Sequence, residues 1–177
     1  MKGIYLLIFL LVPVVSACDA KYVRPSDGPV AKIRYVSEAG SSQRNAGVFL
    51  VENNDCGSKK LIAALNGILL VHNRTDLGLP LGEQYAKNQK TETVIRANVP
   101  HTFDFGWSDG NIYSQVYKCS KTITFTPKEG KVYEAIYSLK DAGECSVNLT
   151  EIVKKENGEY GKAPVNDAKL NDVQCQW

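Results

Sequence analysis

The chain has 177 residues, 44% of them hydrophobic and 23% charged, with a formal net charge of +2. That length suits one domain with a sizeable core. The near-neutral balance, without an acidic tail or a dense basic run, excludes the charge excess that draws a protein to nucleic acid.

Reading from the N-terminus, Lys2 is followed by an uncharged apolar run over residues 4–17 (IYLLIFLLVPVVSA). The run ends in the small residues Ser16 and Ala17, the pattern of a cleaved secretory signal. A spanning helix needs ~20 apolar residues to cross ~30 Å of hydrocarbon, and this run stops short of that at Asp19 and Lys21. Val15-Ser16-Ala17-Cys18 resembles the lipobox of bacterial lipoproteins, departing from it only in Val15, where Leu is commoner. The resemblance implies a signal peptide over residues 1–17, cleavage before Cys18 and lipid on the Cys18 thiol. The protein would then be attached to a membrane through its N-terminal lipid, facing the periplasm. Asp19 resembles the signal that keeps enteric lipoproteins in the inner membrane, but other lineages read different positions, so inner and outer membrane both stay open. Residues 18–30, with two prolines, a glycine and charges, read as a short tether, and residues 31–177 as the folded domain.

Cysteine arithmetic agrees with export. Five cysteines are an awkward number in an oxidising compartment, but lipid on Cys18 leaves Cys56, Cys119, Cys145 and Cys175 to form two disulfides. No two are spaced as C-x-x-C, which argues against a redox motif or zinc knuckle. Three connectivities are open. The expected one is Cys56–Cys119 with Cys145–Cys175, the latter tying down a terminus that would otherwise fray.

Alternation with period two dominates the mature chain. Ala31, Ile33 and Tyr35 share one strand face, with Lys32 and Arg34 opposite; Val48 to Val51 is a continuous apolar run suited to a strand buried on both sides. Residues 61–71 (LIAALNGILLV) are ambiguous, with a possible helical turn first and a strand after Gly67. Residues 76–91 hold Gly and Pro without firm periodicity and read as the longest loop, a common place for binding function. Phe103, Phe105 and Trp107, then Ile123 and Phe125, then Tyr133, Ala135, Tyr137 and Leu139, then Cys145, Val147 and Leu149 each mark an alternating strand. Turn formers at Asp109-Gly110-Asn111, Pro127 to Gly130 and Asn157-Gly158 separate the strands. Six or seven such strands predict an all-β fold, an antiparallel β-sandwich of immunoglobulin or transthyretin type with one long loop and room for a short helix.

The order Ala31-x-Ile33-Arg34, Cys56, Cys119, Ile123-x-Phe125-x-Pro127-x-x-Gly130-x-x-Tyr133-Glu134 and Cys145-x-Val147 resembles a group of small uncharacterised proteobacterial lipoproteins. These positions specify strands, a turn and cysteines, so the resemblance implies a β-sandwich and carries over no active site.

Residues for chemistry are sparse. The two histidines, His72 and His101, have no H-x-H or H-E-x-x-H spacing and no recognisable partner for general-base work. There is no G-x-S-x-G elbow, and Asp104-Phe105-Gly106 matches a kinase tripeptide by letters alone. No catalytic residue, metal or cofactor is expected, and a small-molecule ligand is not expected either. Trp107, Tyr113 and Tyr117 gather around the Asp109-Gly110-Asn111 turn and form a candidate binding surface, against the plainer reading that they pack in the core. The leading expectation is a non-enzymatic envelope lipoprotein that binds or scaffolds another envelope component, most plausibly a protein, through loops or an exposed strand edge. In size and architecture the expected domain resembles small sandwich lipoproteins that occur as anchors in secretion machines, including type VI systems. The alternative is a glycan- or peptidoglycan-binding module or an inhibitor of a host hydrolase.

Overall fold

A computed structural model describes residues 22–38, 45–52, 56–65, 75–108, 118–139 and 144–171. Among the described residues ten strands follow in chain order: β1 (Val30–Ser37), β2 (Asn45–Val51), β3 (Lys59–Leu65), β4 (Lys90–Arg96), β5 (His101–Ser108), β6 (Lys118–Phe125), β7 (Val132–Leu139), β8 (Cys145–Lys154), β9 (Tyr160–Pro164) and β10 (Lys169–Asn171). They form two five-stranded sheets, one ordered β4-β1-β7-β8-β9 and the other β10-β6-β5-β2-β3. The fold is an all-β sandwich.

Alternation produces the core directly. Inward residues of the first sheet (Ile33, Tyr35, Ile95, Tyr133, Tyr137, Leu149) meet those of the second (Val48, Leu50, Phe103, Phe105, Trp107, Ile123, Phe125). Aromatic rings tie the layers together. Tyr35 contacts Phe103 and Phe105 at centroid distances of 5.8 and 5.9 Å, and Phe125 meets Tyr133 edge-on at 5.2 Å. The β2 run is buried throughout Val48–Val51, as its continuous apolar character requires.

Three features depart from the sequence expectation. The β1–β7 ladder is parallel, pairing Ile33 with Tyr133 and Tyr35 with Ala135, whereas the other ladders are antiparallel. A parallel pair needs a long crossover, and the chain between β1 and β7 supplies one by building most of the second sheet. Residues 61–65, allowed as a helical turn, belong to β3, paired with β2 across a bulge at Val48/Phe49. Their neighbours 66–71 lie outside the described residues. The stretch 18–30, expected as a tether, is docked onto the sandwich from Tyr22 onward. Tyr22 donates its backbone N–H to Leu61 O (3.1 Å) and its hydroxyl to Val94 O (3.1 Å), and burial pushes that hydroxyl's pKa up to about 12.

The disulfide scheme is corrected as well. Cys119 on β6 is bonded to Cys145 on β8, with Cα atoms 6.0 Å apart, so neither Cys56–Cys119 nor Cys145–Cys175 forms. Paired strands explain the choice. Cys119 stands opposite Trp107 and Cys145 opposite Leu139, which brings both thiols to the same end of the sandwich interior. Cys56 is disulfide-bonded as well.

Candidate functional site

Strand β1 turns Ile33 and Tyr35 into the core, so period two sends Arg34 to the outer face of its sheet. Register then places Glu92 of β4 on one side of it and Glu134 of β7 on the other. An outward face normally meets water, yet all three side chains are 0% exposed. The cover is the 75–89 loop, which folds back over the sheet.

All three guanidinium nitrogens of Arg34 donate. Nε donates to Glu92 Oε1 (2.8 Å) and Nη1 to Glu134 Oε2 (2.9 Å). Nη2 donates to two loop carbonyls, Leu79 O (2.6 Å) and Pro80 O (2.8 Å). The other oxygen of Glu92 accepts the backbone N–H groups of Leu77 (2.6 Å) and Leu79 (3.2 Å). Glu92 and Arg34 therefore hold the loop backbone with charge of both signs, donor facing carboxylate and carbonyl facing cation. The approach is close. A Cβ at Gly82 would fall 2.8 Å from Arg34 Nη2 and 2.9 Å from Lys90 Nζ, so a larger residue there would have to displace the ends of both side chains. Leu81 before it adopts φ 61°, the left-handed conformation rare for a branched residue and held here by the turn.

A second layer closes the cluster. Glu134 Oε1 accepts the Tyr85 hydroxyl (3.0 Å) and the Lys162 ammonium from β9, and Lys162 also donates to Tyr85 Oη (3.1 Å). Both cations sit over the Tyr85 ring, Arg34 at 5.9 Å and Lys162 at 5.6 Å from its centroid. Burial raises the Tyr85 pKa. Burial pulls Lys162 down, but its bonds to Glu134 and Tyr85 outweigh that and leave its pKa raised. Two cations and two carboxylates balance inside the cluster. Every carboxylate oxygen accepts at least one hydrogen bond, so the arrangement ties the 75–89 loop to the sheet.

The residues named from sequence lie elsewhere. Trp107 is 4% exposed and belongs to the core, which corrects its place in a surface platform. Its proposed companions Tyr113 and Tyr117 lie outside the described residues, as do His72, Cys18 and Cys175. Phe105 of the D-F-G match is core, as alternation requires, and Asp104 is buried on the opposite face of β5, accepting a bond from Thr122 Oγ1 (3.3 Å).

His101 opens β5 and stacks near Phe103, centroids 5.8 Å apart. Its Nε2 contacts Arg96 O at 2.7 Å, and since a carbonyl only accepts, Nε2 carries the proton. An open pocket of about 410 Å3 lies beside it, lined by Leu50, Val51, Glu52, Pro100 and His101, but Glu52 is already bound by Lys60 at 2.6 Å. Burial lowers the His101 pKa below its usual 6.5. The unfolded chain therefore binds more protons between the folded value and 6.5, and stability must fall as pH drops through that window. We expect His101→Gln, which keeps a donor for Arg96 O, to flatten the decline in urea stability as pH falls below the usual 6.5. Equal slopes in the two proteins would refute this.

Among the described residues, no group of three or more His, Cys, Asp or Glu side chains is arranged to hold a metal ion. The cluster around Arg34 escaped the sequence reading because each member looks like an ordinary outward-facing charge. Comparison of the chain with protein-family models, with curated proteins and with solved structures finds no match in any of the three.

Proposed function

We propose that the protein is a bacterial cell-envelope lipoprotein, lipidated at Cys18, whose sandwich binds or scaffolds another envelope component without catalysing a reaction. The observation that carries the reading is the lipobox Val15-Ser16-Ala17-Cys18 directly behind the apolar run 4–17. The Cys119–Cys145 disulfide supports it, because such bonds persist in oxidising compartments such as the periplasm. The partner we favour is a protein, reached through an exposed strand edge. Tyr160 on β9 and Leu170 on β10, 43% and 67% exposed, stand on the two edge strands of one flank. Burial of Trp107 removes the central residue of the stacking surface on which a glycan-binding alternative leaned.

Replacing Cys18 with Ser should move the protein from the membrane fraction to the soluble periplasmic fraction of a bacterial host. Unchanged fractionation would overturn the reading. Crosslinking of the wild-type protein in its native envelope, followed by identification of the attached chain, tests the partner. Recovery of glycan alone would favour the alternative.

A further inference from the structure

The point at which the chain joins the sandwich sets how the body stands on a membrane. Tyr22 is pinned by its backbone to β3 (Leu61 O, 3.1 Å) and by its hydroxyl to β4 (Val94 O, 3.1 Å), and its ring packs against the core. These are edge strands of the two sheets, so the N-terminal segment closes one flank of the sandwich. Only Asp19, Ala20 and Lys21 separate Cys18 from Tyr22. Four extended residues reach at most about 14 Å. The headgroup layer of one leaflet takes up roughly 5–7 Å of that. A lipidated Cys18 therefore leaves Tyr22 within about 10 Å of the lipid surface.

The residues that follow have the chemistry of an interfacial contact. Val23 is 83% exposed, more than Val99, Tyr160 or Leu170, and Arg24 beside it is an exposed cation held by Thr75 Oγ1. An apolar side chain next to a basic one suits the boundary of acyl chains and phosphates. The opposite flank, β9 and β10, lies four strand spacings away, roughly 19 Å across each sheet.

We propose that the β3/β4 flank is a membrane-docking surface, with Val23 and Arg24 resting on phospholipid headgroups and the β9/β10 flank turned outward. This rests on lipidation at Cys18. It also assigns the outward flank, with Tyr160 and Leu170, to whatever approaches from the aqueous compartment.

The test uses the full lipidated protein in phospholipid vesicles carrying a headgroup-attached nitroxide quencher. A fluorescent amino acid is placed singly at position 23, 160 or 170, all exposed enough to accept it. Quenching at 23 should exceed that at 160 and 170 several-fold. Equal quenching at the three positions, or stronger quenching at 160 or 170, overturns the docking geometry. Fractionation of the same protein and its Cys18→Ser variant reads the anchor separately. If Cys18→Ser is released while quenching is uniform, docking fails and the lipoprotein reading survives. If Cys18→Ser stays on the membrane, both fall.

Discussion

Replacing Arg34 with Ala should destabilise the protein by about 3–5 kcal/mol, among the largest losses expected from any single substitution in this chain. The loss comes from what is left behind. Glu92 and Glu134 have side chains 0% exposed, and without Arg34 two carboxylates face each other across β1 without the cation between them. Leu79 O and Pro80 O lose their donor at the same time, so the 75–89 loop is freed from the sheet. This does not mean that the cluster stabilises the fold by the same amount. Desolvating the ions offsets much of their attraction, and the large figure belongs to breaking a buried set by removing one member. For a chain of this size each kcal/mol moves the melting temperature ~2–4 °C, so a fall of roughly 10 °C is expected. Arg34→Lys should recover only part of it, because a lysine ammonium cannot aim donors along the three directions taken by Nε, Nη1 and Nη2. Urea unfolding at neutral pH measures the loss. Amide exchange should accelerate across 75–89 before it does in the β1 and β7 strands. A loss below about 1 kcal/mol would sink the account of the cluster as the loop's clamp.

How far the sequence led is best seen strand by strand. β1, β2, β5, β6, β7 and β8 were legible because apolar and polar residues alternate in them, or because a continuous apolar run is buried on both sides. β4 was not, although it alternates too. Its inward positions are Thr91, Thr93 and Ile95, so the apolar signal is replaced by two hydroxyl residues where the sheet reaches its edge. β9 contains no buried residue and β10 is only three residues long, so neither carries a hydrophobic pattern at all. The Arg34 cluster failed for a different reason. Period two places Arg34 and Glu134 outward, which is what a solvated face looks like. Their adjacency depends on registers linking residues 58 and 100 positions apart, and their burial depends on a loop that the sequence announces only through Gly and Pro. Cys18 and the 66–74 and 109–117 segments lie outside the described residues, so their part of the reading rests on sequence.

Removing the Cys119–Cys145 bridge by a Cys119→Ala, Cys145→Ala double substitution should cost about 3.5 kcal/mol, the chain-entropy value for a loop of 26 residues. Alanine is the right replacement at position 145, since that side chain is 8% exposed and a serine hydroxyl there would need a partner. The bond runs from β6 in one sheet to β8 in the other, so it resists the separation of the two layers and not the fraying of one hairpin. Tyr137 on β7 reinforces the same joint by donating its hydroxyl to Cys119 O at 2.7 Å. Pairing Cys145 with the terminal Cys175 had been attractive because it would fix a loose end, but distance along the chain is a poor guide when two sheets bring β6 and β8 together. Peptide mapping without reduction should recover a fragment linking Cys119 to Cys145; a fragment linking Cys56 to Cys119 would refute the assignment. Since Cys56 is disulfide-bonded too, reductant should lower the stability of the wild-type protein by more than the double substitution does. Equal losses would show that the second bridge adds no stability, and that the joint between the sheets carries the whole effect.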